Sequence, residues 1–405
     1  MSTSSETYPL DGVTVIDFSR LLPGPWCTQM LGDLGAVVIK VEEPKLGDAS
    51  RYNPPLYQQS SVYYNSVNGN KKSITLDLRT KAGQCIAHRL MESADVVVES
   101  FRPGVSKKLG VDYSTARALN RGIIYCSFSG FGQSGPWVNV SGHDLAVQSM
   151  SGLMTLTAEG NEVPHMPGFQ AADYAAATMA SIGVLSAVIR HMKTGNGAYL
   201  DIAMFDSLFS MSNVILSGAK ARTAGGEGYP MMQLWGGNPR YSTYATADNK
   251  AVSVALLEAP LWERFCQIAG CEELINPDEM PDARHSTHGD RACDYKKAIT
   301  DYCAARSQSE VLEELEKHGL PVVPVLSPDE ALHSENVAAR ELVATQKHPV
   351  EGDIPVLVNP LFRAGLSKKS RTPAPSLGED TANVLHALGF TDSEIQALKQ
   401  DGALG

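Results

Sequence analysis

The sequence predicts an α/β fold: an open, mostly parallel sheet layered with helices, followed by a second, smaller α/β domain. Three observations predict it. The apolar runs at 36–42 and 95–99 are continuous rather than alternating, which suits strands buried on both faces of a parallel sheet. Strand-like and helix-like segments alternate through the first third of the chain, the rhythm of right-handed crossovers. The chain has 405 residues, 43% hydrophobic and 20% charged, enough for two or three domains' worth of core.

In order, 13–19 reads as a strand, and Pro23-Gly-Pro breaks into a helix that ends at Gly35. Strands follow at 36–42, 73–78, 95–99 and 122–128, with a helix from Thr80 to Ser93. This is an open Rossmann-like layer. Gly130-Phe-Gly132-Gln-Ser-Gly135 matches a dinucleotide fingerprint letter for letter, but Pro136 follows where a periodic helix should start, so a glycine-rich turn is the reading. Ser141 and Gly142 start a helix whose apolar side is Leu145, Met150, Leu153 and Met154, with His143 in its first turn. A long Ala-rich helix runs 171–193, then a short strand at 199–202 and one apolar helix at 203–219. Residues 223–228 read as a flexible link. A β-hairpin turns at 247–250, with Glu258 closing its second strand. Helices at 261–269, 295–306 and 309–318, a strand at 321–326 and a helix start at Ser327-Pro-Asp-Glu complete this part, and two short helices lie in the tail from 378 to 404. The expected domains are 1–224, 225–330, and a segment 331–405 that returns to the first. No internal repeat or low-complexity segment is visible.

Composition narrows the function. The net charge of -11 argues against non-specific binding to nucleic acid or an anionic membrane. No stretch of about 18 apolar residues is expected to span a membrane, and the first ten residues lack a basic start and an apolar core. Seven cysteines without a C-x-x-C, the nearest pair being Cys266 and Cys271, are expected to be reduced thiols rather than disulfides or a zinc site. No metal is expected, and the expected compartment is the cytoplasm.

His143 at a helix start places an imidazole beside free backbone N–H groups. Such a group moves a proton while the donors hold a developing oxyanion. Taken alone, a hydrogen-bonded structural histidine is the commoner case. Asp173, near the start of the long helix, is favoured there as an anion by the helix dipole, and simple capping would explain it.

Ordered motifs tie these residues together. GPWCTQMLGDLGAVVIKVE, NKKSITLDL, ADVVVESFRPGV, FSGFGQSGP, KTGNGAYLDIAM and PSLGEDT make the chain, from about 10 to 403, resemble the class III CoA-transferase family, which also contains the 2-methylacyl-CoA racemases. The resemblance implies two chains interlocked as linked rings, a homodimer binding acyl-CoA between domains. It implies no permanently bound cofactor, coenzyme A entering as part of the substrate.

Three places resemble the racemase branch. Gly142-His143-Asp144 matches its proton-transferring histidine, Asp173 its second group, and the segment 236–248 with 254–258 its supporting glutamate, Glu258. In the formyl-CoA transferase branch His143 would be Tyr, Leu22 would be Gln, and a run of four glycines would stand where Gly225, Gly226 and Gly228 are. The racemase pattern is broken by Glu43, where it has an arginine, and by Val147, where it has a tyrosine. Asp173 is shared by both branches.

The first expectation is therefore a 2-methylacyl-CoA racemase or epimerase, with His143 and Asp173 exchanging the α-proton through an enolate and Glu258 fixing the imidazole tautomer. The alternative is a CoA transferase with Asp173 as nucleophile, a role that an ionised aspartate suits well. A non-catalytic CoA-binding homologue is the third reading. Matched segments assign CoA contacts to Leu76, Asp77, Leu78, Arg79, Arg102, Lys108, Gly142 and Asp144, with Lys71 and Lys72 as further cations.

Overall fold

The computed structural model describes residues 7–157, 162–226, 237–281 and 287–405. The chain divides into two compact units, Met1–Met211 with Glu335–Gly405, and Ser212–Ser334. The sequence reading put these boundaries at 225 and 330. Gly228 and Gly236 lie outside the described residues.

The first unit is built on six parallel strands: β1 (Thr14–Asp17), β2 (Val37–Glu42), β3 (Lys71–Thr75), β4 (Val96–Glu99), β5 (Ile124–Ser129) and β6 (Ala198–Ala203), in the order β3-β2-β1-β4-β5-β6. Its helices are α1 (Pro23–Asp33), α2 (Val62–Val67), α3 (Lys81–Ser93), α4 (Val105–Lys108), α5 (Tyr113–Leu119), α6 (Asp144–Met150), α7 (Ala171–Thr194) and α8 (Met204–Met211). The continuous apolar runs have the predicted cause. In β4, Val96 and Val98 join the core under α1 and α7, while Val97 joins the core on the other face. Strand order reverses between β1 and β4, so the loops at their carboxyl ends diverge and leave a crevice.

Proline and glycine set the helix ends. Pro23 opens α1, where its missing N–H is no loss, and α7 ends at Gly195 with φ +71°. By length and composition α7 is apolar enough to cross a membrane, although Asp173, Thr178, Ser181 and Ser186 interrupt any continuous apolar run. Within this unit its small residues Ala172, Ala176, Ala180 and Val184 are buried, and α7 packs on α1, β5 and β6.

The second unit holds β7 (Tyr241–Ala245), β8 (Ala251–Ala255) and β9 (Val322–Pro324) as an antiparallel sheet, with α9 (Asn213–Thr223), α10 (Ala259–Ala269), α11 (Ala292–Ala304), α12 (Gln308–Lys317) and α13 (Pro328–Leu332). The expected helix at 203–219 is two helices, broken at Ser212. Glu258 does not close a strand, because β8 ends at Ala255 and Glu258 is the residue that precedes α10.

The returning segment carries β10 (Val343–His348) and β11 (Gly352–Leu357), a hairpin the sequence reading did not contain, then α14 (Glu335–Ala339) before it and α15 (Thr381–Ala387) and α16 (Asp392–Gln400) after it. Pro355 lies inside β11, and a proline argues against a strand unless the strand is an edge, as here. Val384, Leu385 and Ile395 close the core on the second face of the six-stranded sheet.

Candidate functional site

A cavity of about 520 Å³ opens at the carboxyl ends of β1, β4, β5 and β6, where the strand order reverses. Its walls are residues 20–23 after β1, 100–103 after β4, 128–132 ending β5, 141–145 leading into α6, and Gln170 and Asp173 at the start of α7. A crevice at this point is where open parallel sheets hold ligands.

Glycines bring the walls together. A Cβ on Gly142 would sit 2.9 Å from the Phe131 ring, and one on Gly130 would sit 3.1 Å from Gly142 Cα. Only this close backbone approach lets residues 141–143 lie over the end of β5. His143 is exposed and stands just before α6 rather than in its first turn. Leu145 and Met150, expected on the buried side of this helix, are exposed; Val147 and Gln148 are buried instead. Gln148 tolerates burial because its amide donates to Asp144 Oδ2 at 2.7 Å and to the Phe169 carbonyl at 3.0 Å.

Asp144 ties α6 to α7. Its Oδ1 accepts from the Ala172 N–H at 2.8 Å and the Asp173 N–H at 3.3 Å, two of the free donors at the α7 start. That carboxylate therefore occupies the favourable end of the α7 dipole, and Asp173 is left beside it. Burial first, then the neighbouring Asp144 charge, push the Asp173 carboxyl up from 3.8 to about 7. The expected downward pull of the helix dipole is outweighed. Aromatic rings stand beside Asp173: Phe169 stacks on Tyr174 with centroids 5.0 Å apart, and Tyr174 meets Trp26 edge-on at 5.3 Å. Tyr63 of α2 faces the same cavity, and burial together with the Asp173 charge pushes its phenol up, so it remains an O–H donor.

The cavity therefore gathers His143, Asp173, Gly142, Asp144 and Arg102 of the expected residues. It leaves out the others. Leu76 and Leu78 are core residues, and Arg79 turns back on Asp77 with Nε to Oδ1 at 2.8 Å. Lys108 ends α4 in solvent, and Glu258 belongs to the second unit. Lys71 is buried and paired with Asp17 at 3.1 Å, so it is a counter-charge of the core and not a surface cation. Arg20, Tyr63 and Phe169 were not singled out from sequence; each is a lone residue in a loop or short helix, without a spacing to mark it. Among the described residues, no group of three or more His, Cys, Asp or Glu side chains is placed to hold a metal ion.

Chemically, this is a crevice with a desolvated carboxyl, an imidazole, a phenol and two guanidinium groups from Arg20 and Arg102. A carboxyl that ionises near neutrality in such surroundings serves as nucleophile or as proton carrier.

The succinate–glutarate CoA-transferase of Agrobacterium fabrum is 32% identical over 398 residues, covering 94% of this chain and 96% of that protein. The acetyl-CoA:oxalate CoA-transferase of Acetobacter aceti is 31% identical, covering 92% of this chain and 94% of its own length. A CaiB/BaiF family protein of Brucella suis superposes with a TM-score of 0.82 at 29% identity, covering 94% of this chain and all of that one. The Agrobacterium and Acetobacter relatives are named as CoA-transferases rather than racemases, so the comparisons back the transferase alternative better than the racemase expectation.

The motifs behind that expectation have structural work of their own. Gly142 permits the close approach to β5 and Asp144 caps α7. In the 236–248 segment, Arg240 is buried and grips Glu279 through two bonds of 2.8 and 2.9 Å. The model of CoA-transferase family III matches residues 10–381, and the enzymes of that family act on CoA thioesters without a bound cofactor; this chain belongs to it.

Proposed function

We propose that this enzyme moves coenzyme A between an acyl-CoA donor and a free carboxylic acid, with Asp173 as the covalent nucleophile. The observation that carries the proposal is the Asp173 carboxyl, desolvated beside Asp144 at the crevice of the sheet. A carboxylate stripped of water is more basic and attacks a carbonyl more readily than a solvated one. Its oxygen adds to the thioester carbonyl and CoA leaves as thiolate, giving an acyl-aspartyl anhydride. The thiolate then attacks the aspartyl carbonyl, the donor acid departs, and an aspartyl-CoA thioester remains. The acceptor carboxylate reverses these steps. His143 and Tyr63 are the proposed hydrogen-bond donors to the oxyanion of each addition.

Relatives named for succinate, glutarate and oxalate direct the acid reading toward dicarboxylates. Arg20 and Arg102 supply the matching positive charge in the cavity wall. The chain is proposed to work as a homodimer. Ile182, Ile189 and Met192 on α7 are 53%, 55% and 80% exposed, an apolar face that a second copy would cover. Seven cysteines without a disulfide agree with a cytoplasmic enzyme.

The test is to incubate the protein with an acyl-CoA and an isotope-labelled free acid, quenching one portion with acid to read the CoA thioesters and another with hydroxylamine to trap the enzyme-bound acyl group. Labelled CoA thioester and a hydroxamate on Asp173 are the expected products. A racemase reading retains one supporting observation, His143 and a near-neutral Asp173 in one cavity. Deuterium from solvent at the α-carbon, with no movement of CoA to the acid, would establish it in place of transfer.

A further inference from the structure

The loop between β1 and α1 forms one wall of the cavity, and it is held from beneath by buried charges. Leu21 lies on that wall with φ +64°, a left-handed conformation that side chains branched like leucine rarely adopt. Its N–H is shared between both oxygens of Asp48, at 3.2 and 3.3 Å. Asp48 is in turn paired with Lys40 at 2.9 Å, and neither side chain of the pair is exposed. The same Lys40 ammonium donates to the Ser19 carbonyl at 2.9 Å. One ion pair thus holds the loop on both sides of Arg20. The Arg20 N–H is fixed separately by Ser100 Oγ at 2.9 Å, on the facing wall after β4. The loop also folds tightly on α1, since a Cβ on Gly24 would lie 2.3 Å from Ser19 Cβ.

A wholly buried ion pair is a weak source of stability, because removing both charges from water offsets their attraction. What such a pair does supply is directed hydrogen bonds in fixed places. Here those bonds end on a strained residue and on the carbonyl next to a cavity cation.

We infer that Lys40 and Asp48 are positioning residues for the substrate site, their ion pair holding Leu21 in its left-handed conformation so that Arg20 and Leu22 are presented to the ligand. The inference rests on the transferase reading for the identity of that ligand, an acyl-CoA, and not for the geometry.

The test is a double-mutant cycle of Asp48→Asn and Leu21→Gly, reading both acyl-CoA affinity by calorimetry and KM and kcat for transfer. Glycine takes a positive φ without the Cβ penalty and needs no carboxylate to hold it. Asp48→Asn is expected to weaken acyl-CoA binding about tenfold in the parent chain but less than about threefold when residue 21 is already glycine. KM should carry the change more than kcat.

Equal losses in the two backgrounds, or an unchanged affinity in folded Asp48→Asn protein, overturn the inference. Should Asp48→Asn fail to fold, Leu21→Pro reads the same device with the ion pair intact, by fixing φ near −65° and deleting the N–H. An affinity drop of about tenfold at an unchanged melting temperature supports the inference, and unchanged affinity overturns it. If the parent chain transfers CoA to no acid, the transferase reading fails, while the calorimetric cycle still decides this one.

Discussion

Replacing Asp173 by Asn removes the charge and keeps the shape, so it isolates the desolvation of the proposed nucleophile. A carboxyl raised from 3.8 to about 7 disfavours the ionised form in the fold by about 4 kcal/mol. The sign follows from proton counting. Below pH 4 the group is neutral in both folded and unfolded chains, and its full contribution is present. Between about pH 4 and 7 the unfolded chain ionises while the fold keeps its proton, so stability falls as pH rises. Above 7 both are ionised and the loss is complete. The Asn variant has no such loss. Its stability relative to the parent should therefore increase by about 2–3 kcal/mol between pH 5 and pH 8. Urea denaturation of both proteins across that range measures it, and any new Asn hydrogen bond adds only a pH-independent offset. A difference that is flat from pH 5 to 8 refutes the claim that Asp173 is held near neutrality. The same variant should have no transferase activity.

Further tests address the neighbours. Transfer by the parent enzyme should rise with pH through about 7 as Asp173 ionises. Asp144→Asn keeps an oxygen for the Ala172 N–H but removes the charge, so that rise should move to lower pH; an unmoved profile excludes Asp144 as a cause. His143→Ala should lower kcat by about 100–1000-fold, as loss of one oxyanion donor does, while the Asp173 hydroxamate still forms. Arg20→Ala should reduce kcat/KM for dicarboxylate acceptors about tenfold more than for monocarboxylates, measured as paired rates; equal reductions remove its charge from acceptor recognition. Light scattering after gel filtration should give twice the chain mass, and a monomer would refute the homodimer.

Much of this protein was legible because its signals are local. Pro23 and Gly195 act on their own φ angles, and Val96, Val97 and Val98 together report a strand buried on both faces. Hence the strand–helix rhythm of the sheet, the β7–β8 hairpin and the glycine-rich turn at 130–135 follow from neighbouring residues alone. Asp173 and His143 were found from motif order, which also implied the family.

Other features depend on partners far along the chain. That Asp144 takes the α7 amides, and so leaves Asp173 desolvated beside a negative charge, is decided by the approach of Gly142 to β5. Lys71 looked like a surface cation until its strand placed it against Asp17, and Leu21 carries no sign in sequence of the ion pair beneath it. Sequence determined the layers, their order along the chain and the reactive residue types, since backbone preference and hydrophobic period act over a few residues. Tertiary structure alone decided which charges are buried, which are paired and which face the cavity, since desolvation and Coulomb interaction depend on distance through space.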